Sequence, residues 1–170
     1  MEGPVWAAAC LGLRRGEVCG LKVTDVDMEA GILSLKATRD KWGEYPIKGA
    51  TEGEERAIAL PEVLLQKLLG YSEDGQLYVF LDRGRPIHPD RITKSMAELC
   101  RAAEVPAMTF HDLRAAAASN LRALGVDPWT IMTILGHSSL DMTTIYQDVR
   151  SKDQQAAIGA LASALVVGGE

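Results

Sequence analysis

Residues 109–149 read TFHDLRAAAASNLRALGVDPWTIMTILGHSSLDMTTIYQDV, and their punctuation divides them into three helices. Thr109 stands as an N-cap before the run Phe110 to Leu124, because a threonine hydroxyl accepts one of the unpaired N–H groups of a first helical turn. Gly125 stops that run. Asp127-Pro128 repeats the signal, a capping carboxylate followed by proline at the first helical position, and opens a short helix, Trp129 to Leu135, that Gly136 ends. Ser138 or Ser139 then caps a helix carrying Tyr146. His111 and Arg114 stand at i and i+3 and so share one helix face. Short connections keep consecutive helices adjacent, which would gather His111, Arg114, His137 and Tyr146 around one cleft.

Working outward, Pro4 suits a first helical turn and Val5 to Leu13 its apolar body. Arg14-Arg15-Gly16-Glu17 follows, then a short helical piece through Leu21. Ile32 to Lys36 and Arg56 to Leu60 alternate like strands. The polar stretch Ala37 to Glu55 between them reads as an extended hairpin with room for a third strand. Pro61 opens a helix with apolar positions Val63, Leu64, Leu65, Leu68 and Leu69, closed by Gly70 at C′. Leu77 to Leu81 is a short extended run, and Pro89 starts a helix reaching about Ala103. The tail from Asp153 to Val167 is Ala-rich, with Ile158, Leu161 and Leu165 at helical spacing. The expected fold is α+β, mainly helical, with a small antiparallel sheet in the first half.

The 170 residues suffice for one domain with one core. No basic n-region opens the chain, and no apolar run approaches the ~18 residues of a membrane span. A cytoplasmic protein, with no membrane partner, is expected. Cys10, Cys19 and Cys100 are odd in number and lack CxxC spacing, so they read as small core residues rather than a disulfide or zinc framework. The net charge of −5 and pI of 5.3 count against a nucleic-acid ligand, since phosphate contacts normally accompany a basic surface. Yet thirteen of the eighteen lysines and arginines fall between Arg14 and Lys48 or between Arg83 and Arg114. A nucleic-acid site would therefore be a small basic cleft.

A cleft holding arginines, histidines and a tyrosine suits phosphodiester chemistry. The non-bridging oxygens gain charge in a pentacoordinate transition state, and guanidinium forks match their geometry. A tyrosine can attack phosphorus and keep the bond energy as an ester. Only ~0.1% of an unperturbed phenol is ionised at pH 7, so a base or cationic cluster must assist, and a lysine can protonate the departing alkoxide. The scheme requires neither metal nor cofactor.

Four segments then carry a resemblance. Thr109-Phe110-His111-Asp112-Leu113-Arg114 resembles the HxxR box of the phage-integrase type tyrosine recombinases. Leu135-Gly136-His137-Ser138-Ser139 and Thr143-Thr144-Ile145-Tyr146 resemble the family's LGH and nucleophile boxes. Gly12-Leu13-Arg14-Arg15-Gly16-Glu17-Val18 resembles its first arginine box. They stand in family order and span nearly the whole chain.

The resemblance implies the fold of that family's catalytic domain and a site-specific recombinase that cuts and rejoins double-stranded DNA. Arg14 and Arg114 would hold the scissile phosphate, and His137 would donate to a non-bridging oxygen. His111 would bond the phosphate and assist proton transfer from Tyr146, the nucleophile, which would leave a 3′-phosphotyrosine. Lys48 is the chosen general acid, with Lys41 and Lys36 as alternatives, and Glu17 is a supporting group. Ala115 and Ala116 depart from the family's usual residues after the HxxR arginine, which implies altered packing.

The resemblance further implies a tetramer on DNA, leaving a monomer without DNA open. The helix at 153–167 would either pack on its own domain or be exchanged between subunits. Residues 1–170 are expected to be one catalytic domain, lacking the family's N-terminal core-binding domain and the first catalytic-domain helix. The alternative function is a truncated, catalytically incomplete DNA-binding or regulatory fragment. His88 reads as structural, as do Trp6, Trp42 and Trp129, with contact to DNA a second reading for Trp42.

Overall fold

The computed structural model describes residues 1–47, 56–136 and 147–167. Among the described residues, seven α-helices, one 3-10 turn and small antiparallel sheets surround one core. Helices α1 (Glu2–Leu11) and α2 (Arg15–Gly20) come first. Strands β1 (Val26–Asp27), β2 (Ile32–Leu35) and β5 (Arg56–Ala59) form a sheet in the order β1-β2-β5, with Leu33 opposite Ile58. Both side chains are fully buried, so this face of the sheet closes the core. β3 (Ala37–Arg39) and β4 (Glu44–Pro46) form a separate hairpin between β2 and β5 in sequence. The polar stretch after β2 thus contributes its own two-stranded sheet rather than an extension of the first.

Helix α3 (Glu62–Leu69) buries Leu64, Leu65 and Leu68. Val63, expected on its apolar face, is exposed. Gly70 ends the helix through its N–H to Gln66 but in the right-handed conformation, φ −61°, so the expected left-handed cap is absent. The run Leu77 to Leu81 forms a bridge at Tyr78 with Lys22 and then enters the ribbon β6 (Leu81–Asp82) and β7 (Arg85–Pro86). His88 has a structural role: its side chain accepts the Asp90 N–H at 3.2 Å and caps α4 (Pro89–Ala102).

The helices of the second half begin and end where their caps place them. Thr109 caps α5 (Phe110–Ala123), accepting the Asp112 N–H at 3.2 Å. Asp127 caps α6 (Pro128–Leu135) through the N–H groups of Trp129 and Thr130. Helix α7 (Gln147–Val167) is continuous through the Ala-rich tail and packs on α1, α5, α6 and β5 of its own chain. Ile158 and Leu161 are fully buried, whereas Leu165 is exposed. The buried Gln154 carbonyl accepts the Ala59 N–H at 3.0 Å and so satisfies a β5 backbone donor. The three cysteines are buried and free; burial pushes the Cys10 thiol up to about 11 and the Cys19 thiol up to about 12. Trp42 departs from the packing role expected for the tryptophans: it is 77% exposed in the β3–β4 connection, with the Lys41 ammonium over its ring.

Two glycines end helices that converge on the core. Gly12 (φ +61°) caps α1 and Gly136 (φ +65°) caps α6, both in the left-handed region where a Cβ is strained. A Cβ on Gly12 would also lie 2.3 Å from Leu135 Cδ2, so the α1 and α6 ends touch. Gly125 (φ +79°) has the same backbone and open space around it. Gly12→Ala is accordingly expected to lose about 2–4 kcal/mol, combining the left-handed penalty with overpacking, and Gly125→Ala about 1 kcal/mol from the backbone alone. Urea unfolding of the two variants measures the difference; equal losses would contradict the close α1–α6 contact.

Candidate active site

The turn between α1 and α2, the start of α2, helix α4 and the start of α5 meet at a cleft of about 670 Å³. Its lining includes Arg14, Arg15, Thr38, Thr93, His111 and Arg114. No carboxylate is among the described residues that line it, so the cleft is cationic within a net acidic chain. The glycine at the head of α2 makes room on one side: a Cβ on Gly16 would fall 2.2 Å from Thr38 Oγ1. On the other side Arg15 donates from Nη1 to Thr93 Oγ1 at 2.7 Å and ties α2 to α4.

Three arginines hold the C-terminus of α6. Arg56 Nη2 donates to the Ile134 carbonyl at 2.6 Å, Arg114 Nη2 to the Leu135 carbonyl, and Arg14 Nη2 to the Gly136 carbonyl at 3.1 Å. These are three successive acceptors left without helical partners, and they form the negative end of the helix dipole. Arg114 also donates from Nη1 to the Gly12 carbonyl, which binds the α1 end to the same group. Arg114 is 5% exposed and Arg14 45%. One anchors the site from within, and the other faces the solvent of the cleft. Burial, then the charges of Arg14 and Arg56, push the Arg114 guanidinium down to about 10 against the pull of Glu17, which leaves it cationic at neutral pH.

Glu17 is the counter-charge. It is 1% exposed and accepts four hydrogen bonds: Arg14 N–H at 2.8 Å, Arg14 Nη1 at 2.7 Å, and Arg56 Nη1 at 3.1 and 3.0 Å. Burial raises its pKa, but the charge of Arg56 and the hydrogen bonds and charge of Arg14 prevail and hold the carboxyl below its ordinary value.

The structure thus brings Arg14, Glu17, His111 and Arg114 to one place. Lys48, His137 and Tyr146 lie outside the described residues. His137 directly follows Gly136 in sequence, and Tyr146 directly precedes α7. Of the alternative lysines, Lys36 follows β2 directly, and Lys41 stands in the β3–β4 connection beside Trp42. Arg56 is the residue that sequence reasoning missed. It reads as the polar start of an alternating strand, and an arginine at a strand end is ordinarily solvated. Its one sequence signal is its place at the head of a strand that ends in the buried run Ile58-Ala59-Leu60.

Because the Glu17 pKa is lower in the folded chain, Glu17 contributes stability that is present above the unfolded carboxylate value of about 4.3 and is lost as pH falls through the folded value. Glu17→Gln removes that titration. Its unfolding midpoint is expected to fall less steeply than the wild-type midpoint between about pH 5 and pH 3. Parallel slopes in thermal melts across that range would show that Glu17 is not held low.

Comparison with known proteins places this geometry in a family. Residues 7–153 match the model of the phage integrase family. The tyrosine recombinase XerA of Pyrococcus furiosus is 30% identical over 154 residues, covering 86% of this chain and 49% of that protein. Tyrosine recombinase XerC of Mycobacterium sp. (strain KMS) is 31% identical over 139 residues, covering 81% and 45%. The chain therefore spans about half the length of the curated relatives it matches. Among solved structures, the Tn1549 transposon integrase in complex with transposon right end DNA superposes with a TM-score of 0.67 at 23% identity, over 94% of this chain and 58% of that one. The XerA recombinase crystal structure superposes with a TM-score of 0.58 at 24% identity, over 89% and 60%. Likeness at these identities is a likeness of fold. The matched span, by contrast, takes in every position from Arg14 to Tyr146, and with the converging arginines it decides the matter: the chain belongs to the phage integrase family.

Proposed function

We propose that this chain is the catalytic part of a site-specific DNA recombinase, cleaving and rejoining strands through a 3′-phosphotyrosyl intermediate. The observation that carries the reading is the convergence of Arg14, Arg114 and His111 on one carboxylate-free cleft at the α6 terminus. Two guanidinia there offer donors to the two non-bridging oxygens of a phosphodiester, and preorganised charge of this kind ordinarily supplies most of the rate enhancement in such catalysis.

The steps are those that the family resemblance implies for these residues. The Tyr146 phenol oxygen attacks phosphorus, its proton passing toward His111, while the bond to the 5′-oxygen breaks. Lys48 protonates that oxygen, and Arg14, Arg114 and His137 carry the charge on the non-bridging oxygens. Attack of a 5′-hydroxyl on the phosphotyrosine reverses the sequence and joins a new strand. No cofactor enters this scheme. The reading makes double-stranded DNA the partner, places the protein in the cytoplasm and assembles four copies on DNA. Among the described residues no helix is long and apolar enough to cross a membrane. Exchange of the 153–167 helix between those copies belongs to the proposal. In the single chain that helix is seated on its own domain.

A second reading, a fragment that binds DNA without completing the reaction, draws on the chain spanning about half of its relatives. A nicked duplex carrying the cognate attachment site separates the two. The wild-type chain is expected to form a covalent adduct on denaturing gels and Tyr146→Phe none. An adduct that survives in Tyr146→Phe would overturn the nucleophile, and a shifted duplex with no adduct from the wild type would favour the second reading. Arg14→Ala and Arg114→Ala are each expected to slow adduct formation by about 10²–10³-fold, the usual cost of one transition-state donor. Single-turnover rates on the same substrate measure this.

A further inference from the structure

We infer that Arg56 is a positioning residue of the phosphate site: by sharing Glu17 with Arg14, it leaves the Arg14 guanidinium available to an oxyanion. The inference rests on the reading of the cleft as a phosphate site and gives a role to a residue that the reaction scheme does not use.

Consider the charges. Arg14, Arg56 and Arg114 bring three positive groups to the end of α6, and Glu17 is the negative group bonded among them. The set carries a net charge of +2. Without Arg56 the net falls to +1, and the buried Glu17 carboxylate has one guanidinium left, that of Arg14. A buried carboxylate must be paired, so Arg14 would be drawn fully onto it. With Arg56 present, both Glu17 oxygens already accept from a buried cation at 3.0 and 3.1 Å. Arg14 then needs only its backbone N–H and Nη1 for Glu17, and its Nη2 lies at the Gly136 carbonyl.

The geometry agrees. The Arg56 side chain is 9% exposed and runs under the α6 terminus: a Cβ on Gly136 would lie 2.4 Å from Arg56 Cδ, and Nη2 bonds the Ile134 carbonyl. It is thus a floor below the turn that Arg14 meets from above, with no place in the cleft lining. Its Nε is buried without a partner among the described residues. Burial, with the charge of Arg14, pushes its pKa down against the pull of Glu17. An unpaired buried donor on a desolvated cation costs stability. A residue selected for packing alone would be apolar here, so the charge of Arg56 is what the site uses.

The test measures affinity for inorganic phosphate at constant ionic strength, by titration calorimetry on the whole chain, and the single-turnover rate on the nicked duplex. Arg56→Met is expected to weaken phosphate binding about tenfold, the scale of one lost charge at close range. Arg56→Lys keeps the charge beside Glu17 though not the guanidinium fork, and should weaken binding less than Arg56→Met, by about threefold. Arg56→Met/Glu17→Gln removes both charges, frees Arg14 and should recover most of the loss in binding and in rate. A purely structural Arg56 predicts the opposite, since the double variant deletes still more contacts. Wild-type phosphate affinity in Arg56→Met, or a double variant no better than Arg56→Met, overturns the inference. No phosphate binding by the wild-type chain would instead overturn the phosphate-site reading itself. Should Arg56→Met not fold, Arg56→Lys and the charge-neutral double variant decide the question, since both are then expected to bind phosphate, and failure of either overturns the inference.

Discussion

The carbonyls of Ile134, Leu135 and Gly136, left without helical partners, are the acceptors on which the site is built. A helix end of this kind leaves oxygens that must find donors, and here each finds a guanidinium from a different part of the chain: Arg56 from the head of β5, Arg114 from α5 and Arg14 from the head of α2. The heads of α2 and β5 and helix α5 are thereby indexed to the end of one short helix. Like charges brought this close would repel, and the arrangement holds because Glu17 lies among them, buried and ionised. Removal of the helix terminus would deprive all three guanidinia of the acceptors they converge on.

That arrangement explains how an acidic protein acquires a cationic cleft. The net charge of −5 is a sum over the whole chain, whereas an anion feels the groups within about a Debye length, roughly 8–10 Å at ordinary salt. Around the cleft those include Arg14, Arg56 and Arg114 with Glu17 bonded among them, a set of net charge +2. The acidic pI bears on solubility and on long-range attraction to a polyanion.

The parts of the fold that were legible are those fixed locally. Thr109, Asp127, Gly136 and the proline after Asp127 set the bounds of α5 and α6, because a cap is a contact within one turn. His111 and Arg114 were legible for the same reason, being on one helix. What sequence could not show depends on distant neighbours. Val63 and Leu165 continue apolar stripes that run out of partners at the surface. Gly12 looked like the interior of a helix because its left-handed cap is justified by Leu135, far along the chain. Gly70 looked like such a cap and is not one. Arg56 was invisible as part of the site, since its partners Glu17 and Ile134 are 39 and 78 positions away.

Those separations bear on how the chain acquires its chemistry during folding. The hydrogen bonds that organise the cleft join residues 78, 102 and 122 positions apart, and contacts of such long range close only after much of the intervening chain has ordered. No single helix or hairpin among the described residues brings Arg14, Arg56 and Arg114 together. A nascent or partly unfolded chain exposes scattered arginines in place of a paired clamp, so the cationic cleft arises with the global fold and disappears with it.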